Sequence, residues 1–191
     1  MSRKQLGRKP ESRAIREYIL IVTNGEQTEK NYFNEFPYTK KNIYSKGIEP
    51  DSLVDFAVKK RAEYIKKEGN VVLETWCVFD KDESEKINAA RYKAGKNKIH
   101  IALTNECFEL WLFLHYEYTD SPLGRNQFEG KLSKMMGKSY KKNDKNLYYD
   151  IFDKQQTAIK NAKKLERNFP DNPSTRVYKL VERLNELNTL D

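Results

Sequence analysis

A chain of 191 residues, 38% hydrophobic and 34% charged, can bury one ordinary core and is too rich in Tyr, Phe, Leu and Ile to stay disordered. No apolar run approaches the ~20 residues that span a bilayer, and the first residues lack the apolar segment of a signal peptide. A soluble, cytoplasmic protein with no membrane partner is expected. The net charge of +8 favours acidic partners, nucleic acid first among them. Two cysteines and two histidines, with no Cys-x-x-Cys, leave little from which to build a zinc site, so Cys77 and Cys107 read as core thiols.

Residues 1–17 hold six Lys or Arg against two Glu, a balance of 6 − 2 = +4, and read as a basic arm, either a solvated tail or a nucleic-acid contact. Tyr18-Ile19-Leu20-Ile21-Val22 is a β-branched run that stops at Thr23-Asn24-Gly25-Glu26. Thr28 then caps a helix reaching Phe36, with Tyr32, Phe33 and Phe36 on its apolar face. Ile43-Tyr44-Ser45 is a weaker strand, followed by a helix capped by Asp51 or Ser52 and stopped near Gly69. Val71 to Phe79 is a strand ending in Asp80-Lys81-Asp82. Its helix runs from Glu83 to Lys93 and ends at Gly95. Lys98 to Leu103 is the next strand, ending at Thr104-Asn105-Glu106, and Cys107 to Leu114 is a helix apolar nearly all round and so deeply buried.

Four strands alternating with helices predict an α/β domain over 18–124, a mainly parallel sheet with right-handed crossovers. Ligands of such sheets sit beyond the carboxyl ends of the strands. Here those ends are Gly25-Glu26, Asp80-x-Asp82 and Asn105-Glu106. After Pro122-Leu123-Gly124 the text turns to helices without strands, a C-terminal portion over 125–191 packed on the sheet. Its residues 125–168 carry 12 Lys or Arg against five Asp or Glu, 12 − 5 = +7, with Tyr140, Tyr148, Tyr149 and Phe152 among them. That composition suits phosphate contacts and base stacking, with Lys141 and Lys142 as the candidate nucleic-acid contacts. Ala158, Ile159, Ala162 and Leu165 at helical spacing make the solvated face of an amphipathic helix the equal alternative. The last helix shows Val177, Leu180, Val181, Leu184 and Leu187, a core stripe first and a docking face second.

Residues i and i+2 of an extended chain face the same side, so Asp80 and Asp82 converge while Lys81 turns away. Two hard oxygen ligands suit Mg²⁺ or Mn²⁺; alone, a D-x-D is more often a turn. Glu26, after a glycine that permits a tight turn, adds a third carboxylate as general acid or base or as a further ligand. Its bland reading is an acid at a helix N-terminus. No G-x-x-x-x-G-K-[ST] loop is present, so the chain carries no P-loop of its own.

Ile19-Leu20-Ile21-Val22-Thr23-Asn24-Gly25-Glu26-Gln27-Thr28-Glu29-Lys30-Asn31-Tyr32-Phe33, Val78-Phe79-Asp80-Lys81-Asp82, Thr104 to His115 and Asn172-Pro173-Ser174-Thr175-Arg176-Val177 together resemble the RloB-like family. The resemblance implies a Toprim-like fold and a role in restriction-linked and abortive-infection phage defence beside an AAA/ABC-type ATPase. By position it makes Glu26 the Toprim glutamate and Asp80 with Asp82 the Toprim D-x-D, with Asn105, Glu109 and His115 as additional site candidates. Glu106 stands where the family pattern has proline. The expected activity is that of a Mg²⁺- or Mn²⁺-dependent nuclease acting on tRNA, other RNA or DNA. The alternative is a non-catalytic subunit that binds nucleic acid or the ATPase.

Overall fold

The computed structural model describes residues 16–69, 71–81 and 86–190. The arm is therefore outside the described residues as far as residue 15, while Arg16 and Glu17 already belong to the first strand, β1 (Arg16–Thr23). With β2 (Lys41–Ser45), β3 (Val71–Asp80) and β4 (His100–Asn105) it forms the expected parallel sheet. The spatial order is β2-β1-β3-β4-β5.

Period-two alternation divides β1 between two cores. Ile19 and Ile21 face one side with Trp76 and Val78, whereas Leu20 and Val22 face the other with Cys77 and Phe79. All four β1 residues are fully buried, as expected of a parallel strand covered on both faces. The Leu20 side is closed by α2 (Pro50–Glu68) and α3 (Lys86–Asn97). The Ile19 side is closed by α1 (Thr28–Asn34), α4 (Glu109–Phe113), α5 (Arg125–Met136), α6 (Leu147–Ile151), α7 (Gln155–Asn168) and α8 (Val177–Leu190). No helix among the described residues is long and apolar enough to cross a membrane.

Several element ends differ from expectation for local reasons. Helix α1 is capped at Gln27, not Thr28, whose hydroxyl instead donates to the Lys142 carbonyl at 3.1 Å. Helix α2 starts two or three residues early, because Pro50 has no N–H to lose and a φ suited to the first helical position. Helix α3 passes through Gly95 and stops at Lys98, which takes the left-handed conformation (φ 52°). The Ile99 N–H then reaches back to the Ala94 carbonyl and the Lys98 N–H to that of Gly95, a Schellman closure.

The C-terminal portion is not strand-free. Ser174–Thr175 forms β5, antiparallel to β4, with the Thr104 and Thr175 hydroxyls 2.8 Å apart. The α8 stripe is spent on the core: Val177, Leu180, Val181 and Leu184 are fully buried and Leu187 nearly so. Leu184→Ala is accordingly expected to cost about 2–5 kcal/mol in a denaturant titration; a loss below about 1 kcal/mol would show that the stripe is not core.

Candidate functional site

Strand order 2-1-3 fixes where a ligand fits. The chain leaves β1 toward β2 on one side and continues through β3 to β4 on the other, so the connections diverge at the carboxyl ends of β1 and β3. The Asn24 N–H donates to the Val78 carbonyl at 2.9 Å and the Lys46 N–H to that of Thr23 at 3.0 Å, which pins the exit loop of β1 over this point. A cavity of about 420 Å³ opens there, lined by Asn24, Gly25, Glu26, Gln27, Thr28, Glu29, Gly47, Asp80, Phe108, Glu109, Arg125 and Lys142.

Asp80, the last residue of β3, lies in this wall with its Oδ2 3.3 Å from Arg125 Nη2. Glu26 is exposed at the mouth, where its Oε1 accepts the Gly47 N–H at 3.4 Å. Asp82 lies outside the described residues. Glu109, in the first turn of α4, is buried and accepts the Tyr140 hydroxyl at 3.1 Å. Lys142 Nζ stands 3.9 Å from Glu109 and 3.0 Å from Glu129.

The other candidates lie elsewhere. Asn105 donates through Nδ2 to the Asp171 carbonyl at 2.7 Å and does not line the cavity. His115 is buried behind it between Trp111 and Tyr32. Its Nδ1 lies 3.0 Å from the Trp111 carbonyl, which can only accept, so the proton sits on Nδ1. Nε2 is buried without a partner, and desolvation pushes the imidazole pKa down to about 4. Glu106 and Lys141 are exposed and neither lines the cavity. Of the basic portion, Lys138 pairs with Asp144 and Asp150 and Lys163 with Glu182, charges of a solvated surface.

Two residues of the wall escaped the sequence reading. Arg125, the first residue of α5, had no pattern to mark it. Glu29, an acid in the first turn of α1 that was not singled out, has a buried side chain. Burial raises its pKa to about 7, with the Glu109 charge adding to the rise and Arg125 and Lys142 opposing it. The signal was Gly25, misread as a turn device. It is not among the glycines with positive φ; a Cβ there would stand 1.8 Å from Glu29 Oε2, so the glycine makes room for the carboxyl. Gly25→Ala should therefore cost about 1–3 kcal/mol by overpacking, and almost nothing in a Glu29→Ala background. Equal costs in both backgrounds, measured as a double-mutant cycle, would refute the contact.

The donors around the cavity are carboxylates, with neither thiolate nor imidazole among its lining side chains, a chemistry that fits a hard divalent cation. Among the described residues no three Asp, Glu, His or Cys side chains are gathered closely enough to hold an ion by themselves. The match is thus one of donor type, with Glu26 and Asp80 as its described part. The family model for RloB-like protein matches residues 19–184, which include every described residue of the cavity. The chain belongs to the RloB-like family. No curated protein and no solved structure matches it. Within this RloB-like chain the matched region runs from β1 into α8, so the sheet and the C-terminal helices fall within one family unit.

Proposed function

We propose that this RloB-like protein is a metal-dependent nuclease effector of an anti-phage, abortive-infection defence system. It would cleave phosphodiester bonds of RNA, tRNA included, or of DNA under control of a partner ATPase. The observation that carries the reading is the meeting of carboxylates from the β1 exit loop and the end of β3 in one cavity at the sheet's switch point. That arrangement agrees with a Toprim-like site.

Glu26, Asp80 and Asp82 are the residues that would hold Mg²⁺ or Mn²⁺. Bound there, the cation would polarise a phosphoryl oxygen and stabilise the charge that develops on it. Glu29, with a pKa near neutrality, exists in both protonation states at physiological pH, so its carboxyl is able to take a proton from an attacking water or return one to a leaving oxygen. Apolar Phe108 and buried Glu109 close the cavity floor, where charge interactions are stronger than in water. The sequence holds no P-loop, which agrees with ATP-driven control by a partner.

A non-catalytic subunit is the second reading, favoured by the Arg125 guanidinium that already sits on Asp80. Incubating the purified protein, alone and with a candidate partner ATPase, with RNA and DNA separates the two. Cleavage that stops in EDTA and returns with Mg²⁺ or Mn²⁺ is expected. Undiminished cleavage in EDTA overturns the metal dependence, and no cleavage under any combination supports the non-catalytic subunit.

A further inference from the structure

The cavity wall is mixed in sign, and the two signs come from different parts of the chain. Asp80, Glu26 and Glu29 belong to the first three strands and their exits, whereas Arg125 and Lys142 come from the C-terminal portion. Both cations sit on anchored backbone. The Gln127 side chain accepts the Gly124 N–H at 2.9 Å, fixing the start of α5 directly before Arg125. The Lys142 carbonyl takes the Thr28 hydroxyl, tying that loop to the first turn of α1.

The Arg125 to Asp80 pair has little to offer as a structural bond. The contact is a single one at 3.3 Å between an arginine side chain that is 46% exposed and a carboxylate that is 16% exposed, and a pair open to solvent on one side contributes only modestly to stability. A guanidinium presents five N–H groups in a planar fork, of which Asp80 uses one. Lys142 is likewise 44% exposed at its head. Two half-exposed cations facing one open cavity, beside carboxylates that suit a divalent cation, match a phosphodiester, which brings negative oxygens to both.

We propose that Arg125 and Lys142 form the phosphate subsite of this cavity, and that Arg125 rests on Asp80 as a counter-ion which a divalent cation displaces. The inference rests on the metal-site reading given above. In the resting state the guanidinium is divided between Asp80 and any incoming phosphate. When a cation takes Asp80, Arg125 is released to the phosphate oxygens. Cation and nucleic acid therefore bind with positive coupling, and each raises the affinity for the other by the same factor.

The test measures binding by the full chain rather than cleavage. Mn²⁺ is titrated into wild type, Arg125→Ala and Asp80→Asn. Short RNA and DNA oligonucleotides of one sequence are titrated into wild type, Arg125→Ala and Lys142→Ala, in EDTA and in Ca²⁺. Wild type should bind an oligonucleotide about tenfold more tightly in Ca²⁺ than in EDTA. Arg125→Ala should lose that gain, reduce the slope of log affinity against log salt by about one, and bind Mn²⁺ several-fold more tightly because its competitor is gone. Lys142→Ala should weaken the oligonucleotide about equally in both media. Tighter binding of one oligonucleotide identifies that nucleic acid as the source of the phosphate, and equal binding assigns recognition to the backbone alone.

If Arg125→Ala binds Mn²⁺ and oligonucleotide as wild type does, while Asp80→Asn still loses Mn²⁺, the inference is overturned and the metal site stands. If wild type binds no Mn²⁺, the metal site falls and the inference with it. Should Arg125→Ala fail to fold, Arg125→Lys takes its place: it keeps the charge without the fork and should retain only part of the coupling. Full coupling in the lysine variant would likewise overturn the role of the guanidinium.

Discussion

Asp80→Asn is expected to reduce cleavage by at least about 10²–10³-fold while leaving the protein folded. The substitution keeps the shape of the side chain and removes one charge at the carboxyl end of β3. The structural cost of the weakened pair with the half-exposed Arg125 is modest, about 1 kcal/mol. On the proposed metal site the functional cost is large, because the cation would lose the carboxylate that β3 brings to the switch point. A second readout separates metal loss from unfolding: Mg²⁺ should raise the melting temperature of wild type through preferential binding to the folded state, and should not raise that of the variant. A variant that melts like wild type, gains the same Mg²⁺ stabilisation and cuts at the same rate would place the chemistry away from β3.

Which parts of this site were legible depends on how far each residue's meaning travels along the chain. Strands β1 and β3 announce themselves because a parallel strand covered on both faces must be apolar at every position, and Ile19 to Val22 and Trp76 to Phe79 are buried throughout. The carboxyl ends follow from those runs, so Glu26 and Asp80 could be assigned to one edge before any geometry was known. Strand β5 could not, since Ser174 and Thr175 carry no alternation and pair only because the chain returns to β4. Lys98 ends α3 by its backbone conformation, a role that its side chain does not advertise.

Glu29 and Arg125 are the sharper cases. The one local mark of Glu29 is Gly25, whose missing side chain makes room for the carboxyl. The Glu29 pKa is raised first by burial and then by the Glu109 charge, against the opposing pull of Arg125 and Lys142, and only folding brings these groups near. Conversely, Val177 to Leu187 reads as a core stripe first and a docking face second, and the neighbouring helices bear out the core. The basic stretch after residue 125 divides in the same way: Lys142, though paired with Glu129, lines the cavity, whereas Lys138 and Lys163 pair with surface acids away from it.

A buried carboxyl and a buried imidazole of opposite shift should give the metal-free protein an almost level stability between about pH 4.5 and 6.5. Two single substitutions should tilt it in opposite directions. The Glu29 pKa is raised from 4.5 to about 7, so over that interval the folded state holds a proton that the unfolded chain releases, and stability falls as pH rises. The accumulated cost by pH 8 is roughly 3 kcal/mol. The His115 pKa is lowered from 6.5 to about 4, so as pH falls the unfolded chain gains a proton first, and a similar roughly 3 kcal/mol is lost on the acid side. Where the two windows overlap, the slopes are one proton each and cancel. Asp51, Asp144 and Glu166 do not intrude, because their shifts are downward and their windows open below about 4.5. In EDTA, Glu29→Gln should leave the His115 slope alone, with stability rising from pH 4 to 6.5 and exceeding wild type by roughly 3 kcal/mol at pH 8. His115→Phe, which keeps a ring beside Trp111 and Tyr32, should leave the Glu29 slope alone, with stability falling from pH 4.5 to 7. Urea titrations across pH 4.5–8 check both. A Glu29→Gln variant no more stable than wild type at pH 8 would mean that the Glu29 carboxylate carries no cost in the cavity. Its burial would then be no sign of a group held for function at the expense of the fold.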